Sequence, residues 1–416
     1  MRTTLVAWCS LLAAVGGVAA QSAEETDGSA FVYEARVGSS PVGTVFEIWR
    51  DPAREEDWTS EPDDVREVGV RLFYPAAETV GYDRAEFFAQ GEIVRDQIEA
   101  SWGTRPTELV LTAFEAAPAV PCADGCPLVL LSHGMIAGHW TMNELALNLA
   151  SAGFIVAALE HPFVGLTSVR ASGELIPPGS GGAEVLEYSR LRLDQAVQTM
   201  LQVMSEDQRF VADQLARVAE GELQISAPGL AQALDLELVF AGGHSIGGMA
   251  ADRSCLRYSV FDACFSLDGS RWLPLLAGWA PPTEKPFMVL FSEAFWLEDH
   301  RFADRYLTTF SNLAAFRVEG SRHDSFVNVA SMFGATDEDS PERATHAAML
   351  PLVRDFLEGA TRSGFDAASL LDQAVGVLTV VDFEAMRESG VEQDLAGLYY
   401  PEEEDNDGGA GDDSPP

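Results

Sequence analysis

Lysine and other basic side chains are scarce in this chain. Of its 416 residues, 65 are acidic and 26 are basic, which gives a formal net charge of -39. Lys285 is the only lysine, so arginine supplies almost all of the positive charge. A surface this negative repels phosphate backbones and anionic lipid headgroups, which argues against nucleic acid or an anionic membrane as a partner. It fits an ordinary acidic exported protein, or one adapted to salty surroundings that screen the repulsion.

Long apolar runs and nucleotide-binding fingerprints are missing as well. No segment reaches the about 20 consecutive apolar residues that a helix needs to cross a bilayer, so no membrane span is expected. Neither a dinucleotide fingerprint nor a P-loop occurs in the sequence. We therefore expect no nucleotide cofactor, and the sequence indicates no other cofactor.

The two ends of the chain differ in composition from the rest. Arg2, the apolar run at 5–18 and the small residue Ala20 have the pattern of an export signal. We predict a cleavable signal peptide over residues 1–20 and therefore a secreted or periplasmic protein. Residues 401–416 are acidic and rich in glycine and proline, which predicts a disordered tail.

Cysteine is sparse, and removal of the signal peptide leaves four. An even number in an oxidising compartment favours disulfides. Cys122 and Cys126 flank a short turn, whereas Cys255 and Cys264 lie between a predicted helix end and the next strand. We predict these two pairings, with four buried thiols as the alternative. The cysteine spacing does not fit a zinc ribbon, and no metal site is expected.

The segment 243–247, Gly-His-Ser-Ile-Gly, has the pattern of a nucleophile elbow. It follows a mostly apolar run at 236–241, typical of a buried strand, and precedes a segment that resembles the start of a helix. A serine between strand and helix is held in a strained turn that lifts its hydroxyl above the sheet edge. The turn leaves no room for side chains at Gly243 and Gly247. Ser245 is therefore the candidate nucleophile, and a glycine-rich turn without chemistry is the alternative.

Apolar runs alternate with helical segments on both sides of this motif. Strands are predicted at 45–49, 68–74, 128–131, 154–159, 236–241, 264–267, 287–291 and 315–318, and helices at 85–101, 142–152, 184–221 and 345–359. This alternation predicts an α/β fold with a mostly parallel central sheet and helices on both faces. We expect one catalytic domain over 21–400, in which residues 163–225 form a loop plus crossover and cap helices.

A serine hydroxyl needs an adjacent base, and in α/β-hydrolases an acid and then a histidine follow the serine along the chain. Three histidines follow Ser245. His323 lies in a polar loop just after the last predicted strand, which is where the base belongs. His300 precedes that strand, and His346 falls in the last predicted helix, where we expect a surface role.

Two carboxylates compete for the role of the acid. Asp268 ends the strand that follows the nucleophile strand, and Glu293 ends the strand after that. Either could orient the imidazole of His323 and stabilise its protonated form. Either could instead cap a nearby helix. The residues alone leave the choice open.

An oxyanion hole needs two backbone N–H groups. In α/β-hydrolases one comes from the residue after the nucleophile, here Ile246, and the other from the loop after an early strand. That loop is 132–135, Ser-His-Gly-Met, where Gly134 allows a sharp turn that would aim the Met135 amide inward. A generic turn after a strand is the alternative.

Several motifs together resemble the plasma-type platelet-activating factor acetylhydrolases, a family of α/β-hydrolase serine esterases. The matching segments occur in the family's order, over roughly residues 66–360, at 71–75, 129–134, 149–161, 243–248, 266–269, 291–293 and 320–323. The resemblance implies Asp268 as the acid and Met135 and Ile246 as the oxyanion amides. The chain departs from animal members at Pro162-Phe163, and the loop at 163–183 has no counterpart that we can place.

These observations predict an exported serine carboxylic ester hydrolase that cleaves short-acyl esters through an acyl-enzyme on Ser245. The resemblance implies an oxidised or short-acyl phospholipid as one substrate. A polyester or cutinase-like hydrolase, or another serine hydrolase on the same fold, is the second hypothesis. A binding protein that kept the α/β-hydrolase fold and lost activity is the third.

Overall fold

The computed structural model describes residues 30–56, 58–59, 64–122, 125–176, 190–269, 282–294, 296 and 298–392, and for 190–195 the backbone alone. The predicted signal peptide (1–20) and the predicted acidic tail (401–416) lie outside the described residues.

After a first group that consists mostly of strands, the described chain alternates between strands and helices. The strands are β1 (Phe31–Tyr33), β2 (Val42–Glu55), β3 (Val65–Pro75), β4 (Arg84–Glu86), β5 (Leu109–Glu115), β6 (Cys126–Ser132), β7 (Ile155–Glu160), β8 (Ser168–Val169), β9 (Leu175–Ile176), β10 (Leu234–His244), β11 (Ala263–Leu267), β12 (Phe287–Ser292), β13 (Leu313–Val318) and β14 (Leu378–Val380). The α-helices are α1 (Glu92–Trp102), α2 (Asn143–Ser151), α3 (Arg190–Ala219), α4 (Leu230–Ala233), α5 (Ile246–Arg257), α6 (His300–Thr309), α7 (Val329–Met332), α8 (Pro341–Ala360) and α9 (Phe383–Ser389). Short 3-10 helices cover His139–Met142, His323–Phe326 and Ala367–Gln373.

One large sheet organises these elements. Its strand order is β1-β5-β2-β3-β7-β6-β10-β11-β12-β13-β14, with β4 paired to β5. The six strands from β7 to β13 run parallel, and β3 and β14 flank them in antiparallel pairing. This mostly parallel sheet confirms the predicted α/β-hydrolase fold class.

The central strands are buried on both faces, as their continuous apolar sequences predict. Along β6, Leu128 and Leu130 belong to one hydrophobic cluster, which includes residues of α3, α5 and α6. Their neighbours Val129 and Leu131 belong to a second cluster on the opposite face, which includes residues of α2 and α8. Because successive side chains of a strand point to opposite faces, each apolar strand contributes to both layers.

The parallel strands bring their carboxyl ends to one edge of the sheet. Register pairs His244, the last residue of β10, with Leu267, the last residue of β11. The loops after β6 and β13 start from the same edge. Ligand sites of open α/β sheets lie at this edge.

Several predicted boundaries differ from the structure. The hairpin of β2 and β3 extends well into residues 51–67, an acidic segment outside the predicted strands, because Asp51 and Glu55 still pair across the strands. The helix predicted at 85–101 begins only at Glu92, because residues 84–86 pair with β5. Within 163–225 the described residues form the β8–β9 hairpin and one long helix, α3, that packs against α5.

The structure contains both predicted disulfides. Cys122 is joined to Cys126 at the start of β6, and Cys255 of α5 is joined to Cys264 of β11. The second bridge ties the helix after Ser245 to the neighbouring strand. Across the residues described here, no helix is long and apolar enough to cross a membrane.

Candidate active site

Ser245 lies at the junction between the end of β10 and the start of α5. Its backbone has φ 56° and ψ -126°, a conformation that L-residues rarely adopt. A side chain on Gly243 would place Cβ 2.5 Å from the backbone of Ser132, and one on Gly247 would collide with the Ser132 carbonyl oxygen. The two glycines of the motif therefore allow the elbow to pack closely against the backbone at Ser132.

The predicted nucleophile and base lie side by side. The Oγ of Ser245 is 2.9 Å from Nε2 of His323. The other ring nitrogen of His323, Nδ1, is 2.7 Å from Oδ2 of Asp268. In this arrangement Nδ1–H donates to the carboxylate and leaves Nε2 free to accept the serine proton. The three residues come from the loops after β10, β11 and β13.

Asp268 is buried and held by several hydrogen bonds. Its carboxylate accepts from the backbone N–H of Ser292 at 2.8 Å and from the Ser292 hydroxyl at 2.7 Å. Burial raises the pKa of the Asp268 carboxyl, but the hydrogen bonds from His323 and Ser292 outweigh it and bring the pKa below its ordinary value. The carboxylate therefore stays charged beside the imidazole. Sequence reasoning assigned no role to Ser292, although its position at the end of β12 was a usable signal.

Glu293 occupies a different position from Asp268. Its Oε2 accepts a hydrogen bond from the backbone N–H of Gly320 at 2.6 Å. Its own N–H donates to the Ser321 hydroxyl at 3.3 Å. The alternative acid thus braces the turn that leads to His323, whereas Asp268 contacts the ring itself.

His244, between Gly243 and Ser245, was not predicted as part of the site. Its Nε2–H donates to the backbone carbonyl of His323 at 2.8 Å, and the two rings lie 4.6 Å apart. Burial lowers the pKa of His244 to about 3, so the ring is a neutral donor. It connects the elbow directly to the loop that carries His323.

The loop after β6 crosses the elbow. A Cβ built on Gly134 would lie 3.3 Å from Cβ of Ser245, a contact so close that the neighbouring segment would have to move slightly to accept a side chain. Met135 follows at once, and Ile246 is the first residue of α5. The first N–H groups of a helix have no partner within it. Ile246 thus follows Ser245 directly, and Met135 follows Gly134, which lies beside the Ser245 side chain.

The other two histidines that follow Ser245 lie elsewhere. The predicted surface role of His346 was wrong, because its ring is buried and Nδ1 lies 2.8 Å from Oε2 of Glu144. Burial lowers the pKa of His346, but the Glu144 carboxylate outweighs it, and the net shift is upward. His300 is half-exposed near Glu392. Among the residues that the structure describes, no group of three or more His, Cys, Asp or Glu side chains could hold a metal ion.

Comparison with solved structures bears on the class of protein. A structure titled ferulic acid esterase from Streptomyces cinnamoneus superposes with a TM-score of 0.63 and 21% identity, over 85% of this chain and 100% of that chain. With the parallel sheet and the strand–serine–helix turn, this similarity defines an α/β-hydrolase fold.

Sequence comparison confirms the suspected family resemblance. The family model of platelet-activating factor acetylhydrolase, isoform II, matches residues 34–163, which include the loop after β6. The chain is 23% identical to platelet-activating factor acetylhydrolase of Gallus gallus over 269 residues, 55% of this chain and 63% of the relative. It is 25% identical to the protein of the same name from Cavia porcellus over 212 residues, 49% of this chain and 48% of the relative. The matched region thus covers less than two thirds of the length of either relative.

Proposed function

We propose that this protein is an exported serine carboxylic ester hydrolase. The observation that carries the proposal is the continuous line from Ser245 Oγ to His323 Nε2 at 2.9 Å, and from His323 Nδ1 to Asp268 Oδ2 at 2.7 Å. The same three residue types in this order form the relay of serine hydrolases. The similarity to platelet-activating factor acetylhydrolases supports the same reaction class.

The reaction follows from this geometry in two halves. The Ser245 oxygen attacks the ester carbonyl carbon while His323 Nε2 takes the hydroxyl proton, and the carbonyl oxygen becomes an oxyanion. The N–H groups of Met135 and Ile246 bind that oxyanion. Collapse of the intermediate expels the alcohol, which takes its proton from His323, and leaves an acyl group on Ser245. Water, deprotonated by His323, then attacks the acyl carbon. The bond to Ser245 Oγ breaks, the serine oxygen takes the proton from His323, and the acid is released.

The proposed substrate class is a short-acyl ester, with short-acyl phospholipids included because of the family resemblance. The proposed domain organisation is a signal peptide over 1–20 and one catalytic domain over 21–400. Two disulfides among the described cysteines support export, since such bonds persist in oxidising compartments.

Replacing the nucleophile tests the proposal. Ser245→Ala should lower kcat for p-nitrophenyl acetate by about 10⁴-fold or more, because the attacking oxygen is gone. Ser369→Ala, which removes an exposed hydroxyl bonded only to the Asp366 carbonyl, is the matched control and should keep wild-type turnover. Undiminished turnover in Ser245→Ala, with an unchanged circular dichroism spectrum, would discard the assignment.

A substrate panel tests the finer proposal. We expect acetyl and butyryl esters of p-nitrophenol to be cleaved faster than octanoyl esters, and a short-acyl phospholipid to be cleaved faster than its long-chain counterpart. A preference for polyester film or long acyl chains would instead favour the second hypothesis.

A further inference from the structure

His133 lies in the loop after β6, and both of its ring nitrogens have fixed partners. Nδ1 is 2.7 Å from the carbonyl oxygen of Gly134, which can only accept a hydrogen bond. Nε2 is 3.2 Å from the backbone nitrogen of His161, which can only donate one. The geometry therefore assigns the proton to Nδ1 and the lone pair to Nε2. Burial lowers the pKa of His133 to about 4, so the ring keeps this neutral form near pH 7.

The carbonyl that His133 holds belongs to the same peptide unit as the amide of Met135. All the described peptide bonds are trans, so the C=O and N–H of this unit point in opposite directions. When the ring of His133 draws the Gly134 carbonyl to one side, the Met135 N–H is directed to the other. Gly134 itself lies against the Ser245 side chain.

The ring of His133 cannot turn easily, because the residues behind it are buried and bonded in series. The His161 ring lies 2.9 Å from Asp207 through Nδ1 and 2.9 Å from the Ser132 hydroxyl through Nε2. Asp207 in turn accepts two hydrogen bonds from Arg66, at 3.2 Å and 2.7 Å. All four of these supporting side chains are buried.

The loop is also tied to the backbone that follows β7. The N–H of Ile136 donates to the Val164 carbonyl at 3.0 Å, and that of Leu166 donates to the Ala137 carbonyl at 2.7 Å. These hydrogen bonds hold the two segments together independently of the His133 side chain. We therefore expect a substitution at His133 to disturb the Gly134–Met135 peptide more than the rest of the fold.

We propose that His133 is a positioning residue for ester hydrolysis: its Nδ1–H holds the Gly134 carbonyl and thereby aims the Met135 N–H at the oxyanion formed beside Ser245. This inference rests on the proposed function. His133 touches neither substrate nor the reacting serine, and it acts through the peptide that it orients. An amide that is aimed before the reaction begins needs no reorganisation when the charge forms.

Two substitutions at His133 distinguish the contributions of its two ring nitrogens. The amide nitrogen of asparagine falls close to the position of Nδ1, so His133→Asn can still donate to the Gly134 carbonyl. The side-chain amide of glutamine reaches the position of Nε2, so His133→Gln can still accept from His161. It loses the side-chain donor to Gly134, whose carbonyl then keeps only the longer hydrogen bond from the Ala137 N–H, at 3.3 Å. We expect kcat for p-nitrophenyl acetate to fall about 100-fold in His133→Gln, with KM within about threefold of wild type. His133→Asn should retain at least tenfold more activity than His133→Gln.

His346→Gln is the matched control, since it replaces another buried histidine that is bonded to a carboxylate and does not contact the loop. We expect it to lower the melting temperature while kcat stays within about threefold of wild type. The inference is overturned if the order of the two His133 variants is reversed, or if both keep wild-type kcat. Thermal unfolding of each variant shows whether the measured enzyme is folded.

A measurement on the wild-type protein keeps the inference testable if the variants fail to fold. The sequence contains seven histidines, so selective ¹⁵N-histidine labelling gives few ring signals. We expect the ring assigned to His133 to be neutral, with its proton on Nδ1, and unchanged between pH 8 and pH 6. A proton on Nε2 of His133 would overturn the inference. Failure of the proposed function itself would appear separately, as turnover in Ser245→Ala.

Discussion

Residues with strained backbone conformations are concentrated around the candidate site. Five non-glycine residues in the described parts of the chain have positive φ, namely Ala116, Ile136, Phe163, Ser245 and Asp268. Ser245 and Asp268 belong to the proposed relay, and Ile136 and Phe163 lie in the two loops that are bonded to each other beside it. Such conformations cost about 1–3 kcal/mol each and persist where the surrounding structure enforces them. The strain therefore marks the same place as the catalytic geometry.

The choice between the two carboxylates gives a prediction at this scale. Asp268→Asn should lower kcat for p-nitrophenyl acetate by about 10⁴-fold, because an amide at this position favours the wrong tautomer of His323. Glu293→Gln should stay within about tenfold of wild type, because the glutamine oxygen can still accept from the Gly320 N–H. A larger loss in Glu293→Gln than in Asp268→Asn would reverse the assignment of the acid.

Single residues also show what the sequence could and could not predict. Ser245 and His323 were predicted as nucleophile and base because each lies in a short local pattern that places it at the end of a strand. Asp268 and Glu293 could not be separated by local pattern, since both end parallel strands, and only the contact with His323 distinguishes them. His346 was misplaced because its partner Glu144 lies about two hundred residues earlier in the chain, a distance that no periodicity reveals.

Among the secondary-structure elements, α5, the helix that follows Ser245, is fixed at both ends. It begins at the elbow, and near its other end Lys285 donates from Nζ to the carbonyl oxygens of Cys255 at 3.0 Å and Tyr258 at 2.7 Å. The last carbonyls of a helix have no partner within it, and a cation there also interacts favourably with the helix dipole. The only lysine of the chain therefore caps α5, next to the bridge between Cys255 and Cys264.

Removing this cap should affect stability more than catalysis. We expect Lys285→Met to lower the free energy of unfolding by about 1–2 kcal/mol, as measured by urea denaturation, because two carbonyls lose their donor. The kcat for p-nitrophenyl acetate should stay within about twofold, since Ser245 lies at the opposite end of the helix. Lys285→Arg, which can still donate, is the control and should keep most of the stability. A wild-type denaturation midpoint in Lys285→Met would contradict the capping role.

The sequence patterns of individual strands explain why some elements were predicted better than others. The buried parallel strands appear in the sequence as short apolar runs, and each was found within a few residues of its true bounds. The outer hairpin of β2 and β3 was predicted too short, because its far end is rich in charged residues. There, Asp51 accepts from the backbone of Ala53, and Arg54 bonds to Asp207 on α3. The contact with Asp207 comes from tertiary structure and leaves no local signal.

At the scale of the whole molecule, the site depends on the order of strands in the sheet. Residues spread over nearly 200 positions, from Gly134 to His323, meet because β6, β10, β11, β12 and β13 lie side by side in parallel. The alternation of strands and helices predicted a parallel sheet but not this order. Hydrophobic patterns show which strands are buried and not which are neighbours. The net charge of -39 took no part in locating the site.

The central claim is that Ser245 is the activated nucleophile of this fold, and a covalent probe tests it most directly. We would treat the protein with a fluorophosphonate, which reacts with activated serines, and map the adduct by mass spectrometry of proteolytic peptides. The account predicts one label per chain on the peptide that contains Ser245, and no label on Ser245→Ala. Label on another serine, or none on the folded wild-type protein, would contradict it.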